Sequence, residues 1–206
     1  ADTVTVNGDV VITPTGHLHL SPGTHVRFQP RSSIYDDLDG NQFRCDVIVK
    51  GALSVDGGVA PTDSVVFTSS AQNPAGGDWG YVYFKPESRD DISSITGASF
   101  RFGMENVYLH LSAPPIKNST FALAQFYGLQ ADSSNSTPIN DCVFTQNGRY
   151  GLYMIGSSPT VLHCQFLRNG ADPPYTSDLG AVYLQASSGR IAQCLFQDQT
   201  AIGTVA

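Results

Sequence analysis

Residues 139–154 read INDCVFTQNGRYGLYM, and close variants of their first part return as VLHCQFLRNG at 161–170 and IAQCLFQDQT at 191–200. A cysteine and a phenylalanine therefore recur in step. Working outward, Phe100, Phe121, Phe144, Phe166 and Phe196 are separated by 21, 23, 22 and 30 residues. Two positions before each stands a small residue (Ala98, Ser119, Cys142, Cys164, Cys194), and five before each a β-branched aliphatic (Ile95, Ile116, Ile139, Val161, Ile191). The one long interval contains ADPPYTSD, 171–178, a proline-rich polar insertion that no strand accommodates. Without those eight residues the period returns to 22.

A second apolar pair follows in each unit: Val82/Phe84, Val107/Leu109, Leu129/Ala131, Leu152/Met154 and Val182/Leu184. Apolar residues at i and i+2 share one face of a strand, and that face points inward. Leu18/Leu20, Val26/Phe28, Val47/Val49, Leu53/Val55 and Val65/Phe67 extend the alternation toward the N-terminus with less regular spacing. One such unit has no second layer to bury its apolar edge. Stacking the units supplies it, with like residues repeating at about 4.8 Å and each strand pairing with the coils on either side. The expectation is an all-β, single-stranded right-handed parallel β-helix, a solenoid of about 22 residues per coil and eight to nine coils. It forms one domain over 1–206, with surface loops near 30–46 and 171–178.

The runs GHLHLSPGTHVRF, IVKGALSVDGG, VVFTSS and GGDWGYVYF, followed by the I-x-x-C-x-F-x-x-N-G units, resemble the pectin-lyase-like, right-handed parallel β-helix repeat regions of secreted and surface microbial proteins. The resemblance covers nearly the whole chain and implies the fold. It implies no single activity, because this scaffold carries lyases, hydrolases, epimerases, adhesins and structural segments alike. The acid clusters, Gly-His-Gly and Arg-Ile-Lys motifs of its enzymes are not matched: Ala192 follows Arg190-Ile191, and none of the five histidines stands between glycines. No outward acids fall in matching columns of consecutive units, as a pair of glycosidase carboxylates about 5–9.5 Å apart would require. A reaction of its own is not expected.

Charged residues make up 14% of the 206, with only three lysines and a net charge of -7, which disfavours a phosphate backbone as partner. No apolar run approaches the roughly 20 residues of a membrane span, so membrane insertion is not expected. The start at Ala-Asp-Thr is what a removed signal peptide would leave, and a secreted or cell-surface location is expected. The last unit places a partial strand at Thr204-Val205-Ala206, and TVTVNGDVVI opens directly as a strand. Uncapped coils at both ends lead to the expectation of head-to-tail self-association.

Four groups of residues are candidates for function. Tyr83, Tyr108, Tyr153 and Tyr183 share an outward column with Gln130, where they could bind a polysaccharide or a neighbouring molecule, or serve only to stabilise the sheet. Asp37, Asp39 and Asn41 could offer oxygen ligands to Ca²⁺, although the spacing is not that of an EF-hand and a solvated turn would look the same; no other cofactor is implied. Asn118 and Asn135 begin sequons for glycosylation. Cys142, Cys164 and Cys194 lie in a column close enough for one disulfide or for packing as free thiols, and Cys45 stands apart. The expected role is structural or adhesive, with binding or processing of a polysaccharide as the alternative.

Overall fold

The computed structural model describes residues 2–30, 43–58, 61–170 and 179–199. Each coil contributes one short strand to each of three sheets. The first three coils are β1 (Thr3–Val6), β2 (Val10–Ile12), β3 (His17–Leu20); β4 (His25–Phe28), β5 (Val47–Val49), β6 (Ala52–Asp56); and β7 (Val65–Ser69), β8 (Val82–Phe84), β9 (Ser94–Thr96). They continue as β10 (Ala98–Arg101), β11 (Glu105–His110), β12 (Ile116–Lys117); β13 (Thr120–Ala122), β14 (Tyr127–Asp132), β15 (Asn135–Asn140); and β16 (Val143–Thr145), β17 (Tyr150–Ile155), β18 (Ser158–Leu162). The seventh coil is β19 (Gln165–Leu167), β20 (Gly180–Gln185) and β21 (Arg190–Ala192), and β22 (Leu195–Gln197) opens an eighth. The described residues thus make seven coils and the start of another.

Every pairing is parallel and joins strands three apart in the chain, giving sheets β1-β4-β7-β10-β13-β16-β19-β22, β2-β5-β8-β11-β14-β17-β20 and β3-β6-β9-β12-β15-β18-β21. The register is the one the repeat dictates: Phe100, Phe121, Phe144, Phe166 and Phe196 follow one another up the first sheet. Their rings stack at 4.9–5.3 Å between centroids, within 11° of parallel. Phe67 continues this ladder onto Phe100, and Trp79 covers Phe28 at 4.3 Å while its indole N-H donates to the Arg101 carbonyl. Burying each of these side chains except Phe196, which is half exposed, stabilises the fold by about 1.5–3 kcal/mol.

The I-x-x-C-x-F unit is not one strand. It bends between the third and first sheets, with Ile139 in β15 and Phe144 in β16, and a left-handed residue makes the bend. That residue is Gly97, Asn118, Asp141, His163 or Gln193 in successive coils, at φ 50° to 61°. The small residue that follows closes the corner: Ser119 Oγ accepts the Ala98 N-H and Cys164 Sγ the Cys142 N-H, while both donate back to a carbonyl two residues earlier. The other corners work alike. Ser134, Ser157 and Ser187 follow left-handed residues at one, and Asn147, Asn169 and Gln199 at the other; the side-chain oxygens of Ser157, Ser187, Asn147, Asn169 and Gln199 each accept an amide from the coil before. Unpaired amides at these corners would each cost about 1–3 kcal/mol, so the polar ladders are as structural as the apolar ones.

The four cysteines are free. Cys142 is fully buried, and the adjoining Cys164 thiol together with burial holds its own thiol far above the ordinary range; burial likewise pushes Cys45 up to about 11. These thiols pack in the core and donate to carbonyls, Cys142 to that of Asn140 and Cys45 to that of Gln29. The expected loops fall between β4 and β5 and between β19 and β20, with 31–42 and 171–178 outside the described residues. Thr204-Val205-Ala206 lies outside them too. Among the described residues no helix is long and apolar enough to cross a membrane.

Candidate functional site: a tyrosine face on the second sheet

The outward column of the second sheet runs Val11, Ile48, Tyr83, Tyr108, Gln130, Tyr153, Tyr183, each in register with the next. The four tyrosines singled out from the sequence are thus one column. Tyr83 stacks on Tyr108 at 4.5 Å and 11°, and Tyr153 on Tyr183 at 4.7 Å and 10°. Because these rings cover one another's faces, what they offer outward is mainly edges and hydroxyls.

Three further tyrosines join this face. Tyr81 meets Tyr83 and Tyr108 edge-on, and Tyr150 leans on Tyr153 and Tyr183. Tyr127 stacks on Tyr153 at 4.3 Å and 8°, restoring the ladder at the coil where the column itself carries Gln130. All seven described tyrosines therefore lie on one face of one sheet. The signal for Tyr127 and Tyr150 was a second column three residues before the first. Glu105, Tyr127, Tyr150 and Gly180 are in register, separated from Tyr108, Gln130, Tyr153 and Tyr183 by one residue at the corner and one inward aliphatic. At the corner, a Cβ added to Gly128 would meet the Gly151 carbonyl oxygen at 2.7 Å and the Phe121 Cβ at 3.2 Å, so that position faces inward and its predecessor is turned out.

Glu105 is the acid of this face. It stands beside Tyr127 in register, next to Tyr108 and Tyr127 electrostatically, and the Gln130 amide, turned with its nitrogen toward the carboxylate, donates to both carboxylate oxygens at 3.1 Å. Burial beneath these groups pushes its carboxyl from 4.5 up to about 8. Burial also raises Tyr127, to about 12, and raises Tyr108 further. Cations meet rings elsewhere on the face: Lys85 Nζ lies 4.0 Å from the Tyr83 centroid, and the Arg149 guanidinium carbon 5.8 Å from that of Tyr127, with a hydrogen bond to the Tyr127 hydroxyl. His110 Nδ1 and Asp132 Oδ2, 3.1 Å apart, border the face at the next outward column.

The other candidates are not brought to this face. Asp37, Asp39 and Asn41 lie outside the described residues, as does any site they would form. Among the described residues no group of three or more His, Cys, Asp and Glu side chains is arranged to hold a metal. Asn118 is an exposed corner residue at φ 50°, in a shallow groove with Ser99 and Arg101 of the first sheet and the corner residue Asp141; Asn135 begins β15. His17 and His19 are exposed, as strand residues alternating with Leu18 and Leu20 should be.

Residues 106–205 match the family model described as a right handed beta helix region. No curated protein and no solved structure matches the chain significantly. The match begins at β11 and the three parallel sheets begin at β1, so the same coil runs through the unmatched half.

Proposed function

From a chain that is a right-handed parallel β-helix, we propose an extracellular structural or adhesive protein, without a reaction of its own, whose contact surface is the tyrosine face of the second sheet. The observation that carries this reading is the gathering of all seven described tyrosines on that one face. Tyrosine combines a large apolar area with a hydrogen-bonding tip and loses little side-chain entropy on contact, which is why it is enriched where proteins meet partners. Tyr108, Tyr153 and Tyr183 remain half-buried rather than sealed. The exposure of Asn118, where an attached glycan would meet no core, supports the extracellular part of the reading.

Self-association head to tail belongs to the same proposal. It would join two copies by parallel strand pairing along the coil axis, the same pairing that already links successive coils within one copy. Sedimentation over a range of concentrations tests this, with growth in mass expected and a constant monomer against it.

The alternative, binding of a polysaccharide, is favoured by one feature: ring edges recur once per coil along the axis, a periodicity that an extended chain of like units can follow. Binding to an array of polysaccharides and to protein-coated surfaces, with Tyr108→Ala and Tyr153→Ala as controls, separates the two. Loss of surface adhesion in the variants supports the adhesive reading, and selective loss of glycan binding supports the alternative. Variants that behave as the parent on every surface would remove the tyrosine face from both.

A further inference from the structure

The tyrosine ladder is interrupted once. Tyr83 and Tyr108 form one stack, Tyr127, Tyr153 and Tyr183 the next, and between them stand Glu105 and Gln130. The two stacks differ from the interruption in what they have for partners. Lys85 sits over the first and Arg149 over the second, whereas among the described residues no cation stands opposite Glu105. Its partner is an uncharged amide, and the charged or titratable groups around the break are Tyr108, Tyr127, Asp132 with His110, and Arg149, which is engaged with the Tyr127 hydroxyl.

We propose that this break is a recognition point for a cationic side chain, a lysine ammonium or an arginine guanidinium on a partner protein, seated between the Tyr108 and Tyr127 rings and paired with the Glu105 carboxylate. The inference rests on the reading of this face as a contact surface and names what the face recognises. A cation there would supply what the uncharged Gln130 amide does not, a counter-charge for the acid, and it would lie beside the rings as Lys85 already does at Tyr83. The net charge of -7 favours approach of a basic segment. The bonding also implies a proton. Glu105, held neutral by burial when alone, ionises as the cation arrives, so binding releases a proton and strengthens as pH rises.

The test uses trilysine as the probe, titrated into the full chain and followed by NMR shifts of the tyrosine rings. Its acetylated form and a glucosamine trimer serve as comparisons. Expected are binding of trilysine, little or none of the acetylated peptide, and an affinity that rises by about tenfold per pH unit from 6 toward 8. Glu105→Gln should weaken binding about tenfold or more and abolish that pH dependence, while Glu105→Asp retains part of both. Absence of trilysine binding, equal binding of the acetylated peptide, or an undiminished Glu105→Gln variant overturns the proposal. Binding of the glucosamine trimer in place of trilysine overturns its choice of partner. If Tyr108→Ala loses adhesion while Glu105→Gln keeps it, this inference fails and the contact surface stands.

Discussion

Two ladders of aromatic rings climb this molecule side by side, the phenylalanines inside the first sheet and the tyrosines outside the second. Their spacings are nearly the same, 4.4–5.3 Å within and 4.3–4.7 Å without, because both follow the rise of the coil. What differs is the surroundings. Phe100, Phe121, Phe144 and Phe166 have no accessible surface, whereas Tyr108, Tyr153 and Tyr183 keep an edge in solvent. Equal stacking geometry therefore carries unequal weight: the inner ladder fills a closed core and the outer one finishes a surface.

That contrast orders the expected effects of substitution. Phe144→Ala leaves a ring-sized hole between Phe121 and Phe166 and should cost about 3–5 kcal/mol, seen as a large fall in the denaturation midpoint; a loss no greater than that of an outer tyrosine would break the comparison. Asn147→Ala removes an acceptor for the Ala124 N-H and donors to Phe121 and Asn169, and should cost about 2–3 kcal/mol by the same measurement. If it proves neutral, the corner ladders are ornaments of the core and not part of its closure.

Glu105 contributes through pH. Its carboxyl stands at about 8 in the folded chain against an ordinary 4.5, so the folded state holds the proton more tightly. The stability from this source is fully present below about 4.5 and is lost as pH rises through about 8. Comparing denaturation midpoints at pH 5 and pH 9, the parent should lose on the order of 2 kcal/mol more than Glu105→Gln, allowing for partial exposure. Identical pH profiles for the two would count against a buried, neutral acid. Smallest of all, Tyr153→Ala should cost about 1 kcal/mol, the worth of a cross-strand ring contact that water already reaches on one side.

The same two ladders mark what was legible in the sequence. The inner one was plain, because Phe, a small residue and a β-branched aliphatic recur in three fixed columns, and any register slip would bury the wrong face. The corners were not. Left-handed backbone most often announces itself by Gly or Asn, yet Asp141, His163 and Gln193 adopt it here, so the bend inside the I-x-x-C-x-F unit and the hydrogen bonds of its thiols could not be read from the repeat. The tyrosine column was legible from alternation. Tyr127 and Glu105 were not, because the inward corner position at Gly128 and Asn106 breaks the period of two, turning outward a residue that strict alternation would send in.

The sharpest test joins both ladders in one molecule. A double variant, Tyr108→Ala with Tyr153→Ala, is measured for adhesion and for thermal unfolding together. The account predicts adhesion weakened about tenfold or more, with Tm lowered by only about 4–8 °C. Adhesion that survives unchanged, or a chain that no longer folds, would contradict it.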